Sequence, residues 1–113
     1  MRGNATGFGF LASLAAPLTA QVAPAPQLTS DQQGYIVYHQ CMMHAAIQAS
    51  HTEAKDEEIF GRAKAECAST RARVVAGQES NRPFLAALDA ADAEKAANFP
   101  AWIKGVRERR KDR

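Results

Sequence analysis

Cys41 and Cys67 are the residues of this chain best equipped for chemistry, and they are its only cysteines. A thiol pair can be oxidised to a disulfide, supply a nucleophilic thiolate or hold a soft metal. His39-Gln40-Cys41-Met42-Met43-His44 collects ligands that copper(I) accepts. Helical geometry works against a shared site. His39 and His44 stand about 140° apart around a helix, and His44 and His51 are roughly 10 Å apart along one. Only His39 with Met42 or Met43 has chelating spacing. Neither a His-Glu-x-x-His nor a paired-cysteine zinc pattern occurs. Thiol catalysis needs a base, an orienting group and an oxyanion hole, and nothing beyond His39 and His44 suggests them. The acidic run Asp56, Glu57, Glu58 suits the start of a helix, where the dipole favours negative charge. There is no glycine-rich phosphate loop and no nucleophile elbow. The expectation is therefore no catalytic residue, no cofactor and no metal.

The elements that must position these residues read as helices. From Ser30 to Arg113 there are 17 alanines in 84 residues, against 10 valines, isoleucines and threonines together. That ratio favours an all-α fold. The first helix should start near Thr29 or Ser30, with Gln32 or Gln33 completing a capping box, and run to about Ser50. Tyr38, Cys41, Met42, Ala45 and Ala49 fall on one side of it, with Tyr35 one turn earlier. The second should begin between Thr52 and Asp56. Its stripe is Phe60, Ala63, Cys67, Thr70 and Val74, and Gly77 caps its end. The third should begin near Asn81, with Pro83 in its first turn and Phe84, Leu85, Leu88 and Ala91 on its apolar side. Asn98-Phe99-Pro100 should break or kink it, leaving a short basic fourth helix with Trp102, Ile103 and Val106.

Residue 54, midway between Cys41 and Cys67, falls in the loop expected between the first two helices. Residues equidistant from the turn of an antiparallel hairpin face each other, and both cysteines lie on apolar stripes. The register therefore pairs Cys41 with Cys67. The compartment argues the same way. Residues 1–20 resemble an export signal, with Arg2, an apolar run from Phe8 to Leu18, and small or apolar residues at Leu18-Thr19-Ala20. Cleavage is expected between Ala20 and Ala25, which places the protein in the periplasm or outside the cell, where disulfides persist. Residues 21–28 form a Pro/Ala-rich spacer. Residues 29–103 are then the helical domain and 104–113 a basic arm. The fold expected is a disulfide-clasped antiparallel helical hairpin plus a third helix and a short basic C-terminal helix.

The chain has 113 residues and a formal net charge of +2, too near neutral for a nucleic-acid binder, and no apolar run long enough to span a membrane. The charge is concentrated in the last ten residues, six basic against Glu108 and Asp112. Trp102, Lys104, Arg107, Arg109, Arg110, Lys111 and Arg113 are the candidates for binding an anionic surface such as lipid headgroups or cell-wall polymer, or an envelope protein. The competing reading is a solvated helix end whose charge suits the dipole. Since neither cysteine lies in the arm, its removal after Gly105 should leave the hairpin folded.

The export signal, the Pro-Ala spacer, Leu28-Thr29, the turn Tyr38 to Cys41 and Ala65-Glu66-Cys67-Ala68 resemble small secreted two-cysteine helical-hairpin proteins of alphaproteobacteria. That resemblance implies no activity. Ala97-Asn98-Phe99 and Lys104-Gly105 are also similar to the basic C-terminal segment of HdeA-type periplasmic acid-stress chaperones, whose cysteines are spaced more widely than 41 and 67. Three readings follow: a non-enzymatic exported envelope module that binds a partner or anionic surface, an acid-stress chaperone, and a soft-metal binder.

Overall fold

The computed structural model describes residues 26–112. The expected export signal and cleavage site, most of the spacer, and Arg113 lie outside the described residues. Four helices follow one another: α1 (Ser30–Ala49), α2 (Ile59–Glu66), α3 (Ala68–Val75) and α4 (Arg82–Lys111). A single 3-10 turn, Asp56–Glu58, leads into α2. The described residues contain no strand, and the fold is all-α.

α1 starts where its capping chemistry puts it. The Thr29 hydroxyl accepts from the Gln32 amide at 3.1 Å, and the Gln32 side chain accepts from the Thr29 amide at 2.9 Å. Tyr38, Met42, Ala45 and Ala46 are buried along one side of the helix. α1 packs along both α2 and α3, while α4 crosses α2 and the 3-10 turn and touches α1 less extensively. At Gly34, α1 lies close against Val74 of α3 and Phe84 of α4. A methyl group there would meet Val74 Cγ1 at 3.0 Å and Phe84 Cζ at 3.5 Å. The packing thus accounts for a glycine inside a helix, where it otherwise costs about 1 kcal/mol.

The expected second helix is divided in two. The backbone leaves helical geometry at Cys67 (φ −97°, ψ 10°), so α2 and α3 are separate segments joined at the disulfide. Ala63 and Cys67 of the expected stripe are buried, but Thr70 and Val74 are only half-buried, and Ile59 rather than Phe60 is the deepest apolar side chain at the start. Gly77 ends this stretch with a positive φ of 77°, the left-handed conformation a glycine supplies at a helix terminus.

The third and fourth helices of the sequence reading are one helix of 30 residues running through Pro100. Asn81 caps it, accepting from the Phe84 amide at 3.3 Å. A proline at this place removes the donor for the Ala96 carbonyl. Ala96 is exposed, so water can take that partner's place, and the apolar positions continue across the proline. Phe84, Leu88, Phe99 and Ile103 are all buried, and they lie on the same side of one helix. Contacts on both sides of Pro100 outweigh the single lost bond.

Candidate functional site

Cys41 and Cys67 are bonded, with their Cα atoms 6.0 Å apart. The bond ties the middle of α1 to the α2–α3 junction, as the register about residue 54 required. A thiolate is thereby excluded at both positions, and with it a cysteine nucleophile or a cysteine metal ligand. Among the described residues no three His, Cys, Asp or Glu side chains gather at one point. His44 and His51 are exposed on the surface.

Four helices meet at a buried polar junction centred on Asp92. Tyr38 Oη donates to Asp92 Oδ1 at 2.8 Å. Arg71 Nε donates to Asp92 Oδ2 at 3.3 Å, and Lys64 Nζ stands 3.7 Å from the same oxygen. Arg71 also reaches Asp89 at 2.9 Å, and its guanidinium lies over the Tyr38 ring at 5.7 Å. Burial, reinforced by the Asp92 hydrogen bond and charge, pushes the Tyr38 phenol up to about 12. A phenol held protonated in this way is a donor that fixes register, not a base. Asp92 is likewise engaged on both oxygens, so this cluster locks α1, α2, α3 and α4 together.

The basic end of α4 divides by the direction its residues face. Arg107 turns inward: Nε donates to the Ser50 carbonyl at 3.0 Å, Nη2 to the Thr52 carbonyl at 3.0 Å, and Nη1 to Asp56 Oδ1 at 2.8 Å. Arg110 donates to the Ser50 carbonyl at 3.2 Å and to the Ser50 hydroxyl at 2.9 Å. The last turn of α1 has no basic residue of its own. Two arginines about 57 to 60 residues away therefore bond the carbonyl of its C-cap residue Ser50 and offset the negative end of its dipole. Arg107 and Arg110 of the arm are thus hydrogen-bonded to the end of α1 and the loop after it. Lys104, Arg109 and Lys111 remain exposed, and Trp102 is half-buried against Phe99, with ring centroids 5.3 Å apart.

A cavity of about 250 Å³ opens between α1 and α4, with Tyr35, His39 and Met43 on one wall and Lys95, Phe99 and Trp102 on the other. Lys95 is only 7% exposed, and its ammonium has no hydrogen-bond partner. The nearest compensation is the Tyr35 ring, 5.2 Å from Nζ to the centroid. His39 stacks on Tyr35 at 5.8 Å, and its buried Nδ1 is also unpartnered. Burial and the nearby Lys95 charge hold its imidazole below the usual histidine range, in the neutral form. Spacing along the chain neither brings Trp102 to His39 nor marks Lys95 as a cavity residue. The signal for Lys95 was its position: with Asp92 it falls on the apolar stripe between Leu88 and Phe99.

Compared with known proteins, the chain matches no family model, no curated protein and no solved structure. Its geometry offers a disulfide clasp, a structural carboxylate junction, an arginine cap, a cationic helix surface and one cavity with an unneutralised cation. Among the described residues no helix is long and apolar enough to cross a membrane.

Proposed function

We propose that this chain is an exported, non-enzymatic module of the cell envelope that holds an anionic surface against the C-terminal half of α4. The observation that carries this reading is the division of the basic end. Arg107 and Arg110 pin the helix to the end of α1, while Lys104, Arg109 and Lys111 stay in solvent. Helical spacing puts Trp102 and Arg109 two turns apart on one flank, and Lys104 and Lys111 two turns apart on another. The charges are thus displayed from a fixed helix rather than from a loose tail. The reading agrees with the export-signal pattern of residues 1–20 and with the Cys41–Cys67 bond, which persists in an oxidising compartment.

Lys104 and Lys111 share one face of α4 and Arg109 stands roughly 140° from Lys104 around the helix, so an anionic surface meets the two lysines together, on the order of 1 kcal/mol each, screened by salt and opposed by Glu108 and Asp112. The attachment should be weak, reversible and salt-sensitive. The test is cosedimentation of the mature protein with phosphatidylglycerol vesicles or cell-wall sacculi at low and physiological salt. A variant with Lys104, Arg109 and Lys111 all changed to Gln keeps the arginine cap and should lose the sedimentation. Equal behaviour of the two proteins at both salts would overturn the reading. Recovery of the uncleaved chain from the cytoplasm would overturn the export.

A further inference from the structure

The cavity between α1 and α4 contains an electrostatic problem that the protein does not solve by itself. A buried ammonium without an acceptor is unfavourable, and stacking over one aromatic ring repays only part of its lost hydration. The nearest buried carboxylate, Asp92, is already taken by Tyr38, Arg71 and Lys64. Glu94 stands at the cavity wall but is exposed and makes no ion pair with Lys95. His39, facing Lys95 from α1, stays neutral and adds a second unpartnered nitrogen.

Apart from Glu94, Asn98 and His39, the surroundings of this cation are apolar or aromatic. Met43, Phe99 and Trp102 line the cavity around it. Tyr35 also borders an adjoining trough of about 490 Å³, walled by Leu28, Ile36, Phe84 and Leu88. One cation thus stands at one end of a mainly apolar channel in two parts, with the partly exposed Tyr35 ring between them and Asp31 and Gln32 at the wall of the far part.

We infer that this channel binds a single-chain amphiphile with one carboxylate, of the medium-chain fatty-acid class. The carboxylate pairs with Lys95 and accepts a hydrogen bond from Nζ–H, with His39 Nδ1–H as a second donor in the appropriate tautomer. The hydrocarbon passes Tyr35 and lies against Phe84 and Leu88. Binding completes the ion pair that Lys95 lacks and covers apolar surface in one event. The cavity is distinct from the exposed cations at the end of α4, so this inference does not depend on the surface-binding reading.

Trp102 is the only tryptophan of the chain and lines the cavity, so its emission reports occupancy directly. The experiment titrates the mature protein with decanoate below its micelle concentration, with decanol and decyltrimethylammonium as matched probes. Decanoate should give a saturable change in emission, at least tenfold tighter than decanol, and the cationic probe should give none. Lys95→Met keeps the unbranched apolar stem of the side chain, one atom shorter, without the charge. It should weaken decanoate at least tenfold, abolish the preference over decanol, and raise the melting temperature of the free protein. The Lys104, Arg109 and Lys111 triple Gln variant should bind decanoate unchanged, which separates this site from surface attachment. No saturable response to decanoate, equal affinity for decanol, or unchanged decanoate affinity in a folded Lys95→Met protein each overturns the inference.

Discussion

Replacing Tyr38 with Phe removes one oxygen from the junction where all four helices meet, and the structure sets the size of the effect. At neutral pH the change deletes a 2.8 Å hydrogen bond from a fully buried phenol to a carboxylate that keeps Arg71 and Lys64 as partners. Because Asp92 is not orphaned, the loss should be about 1–2 kcal/mol rather than the larger penalty of a stranded buried charge. Alkali supplies a second magnitude, which comes mainly from burial and includes the same Asp92 hydrogen bond. The folded phenol holds its proton up to about pH 12, against 10.0 ordinarily. Between those values the folded state binds the proton more tightly than the unfolded state does, so stability falls as pH rises. The contribution is fully present below pH 10 and is lost through pH 12, amounting to about 3 kcal/mol. Urea unfolding of wild type and Tyr38→Phe at a series of pH values measures both effects. Other groups that titrate in this range do so in both proteins, so the difference isolates Tyr38. The chain has two tyrosines, and a Tyr35→Phe background therefore lets absorbance at the phenolate band follow Tyr38 alone. A phenolate signal near pH 10 from that folded variant would refute the argument. So would a wild type and Tyr38→Phe that lose stability in parallel from pH 10 to 12.

Further expectations follow from the clasp, the cap and the proline. Changing Cys41 and Cys67 together to Ser opens a loop with a sequence separation of 26 and should cost roughly 3–4 kcal/mol in urea unfolding, with an unaltered helical circular dichroism signature in any remaining folded fraction. Arg107→Gln with Arg110→Gln should destabilise the protein by about 1–3 kcal/mol, as should truncation after Gly105, because the end of α1 loses its capping donors. Stability unchanged by that truncation would show that the arm is not part of the fold. Pro100→Ala restores the donor for the Ala96 carbonyl within a continuous helix and should stabilise by about 1–3 kcal/mol, read as a higher melting temperature. A lower melting temperature would mean that the local geometry of α4 at the proline is required by the packing of Phe99 and Ile103.

The features legible in the chain alone are those that depend on residues a few positions apart or on simple periodicity. Thr29 and Gln32 mark a helix start because their side chains reach each other's amides across one turn. Gly77 marks an end because a left-handed backbone favours glycine. The apolar spacing of α1 and the first half of the next stripe, together with symmetry about residue 54, pair Cys41 with Cys67. Periodicity reports which side of a helix is apolar, but not which polar residue lies among the apolar ones or what it meets there. Asp92 and Lys95 look like ordinary charges on a helix. Folding buries both, giving Asp92 three partners from three other helices and leaving Lys95 with none. Pro100 reads locally as a stop, because the cost of a missing amide is local, whereas the contacts that keep α4 continuous are distributed along its length. The basic end reads as one cluster of positive charge. Only the close approach of α4 to the end of α1 separates the arginines that cap a helix from the lysines and arginine that face solvent, because the carbonyls Arg107 and Arg110 serve lie more than fifty residues earlier in the chain.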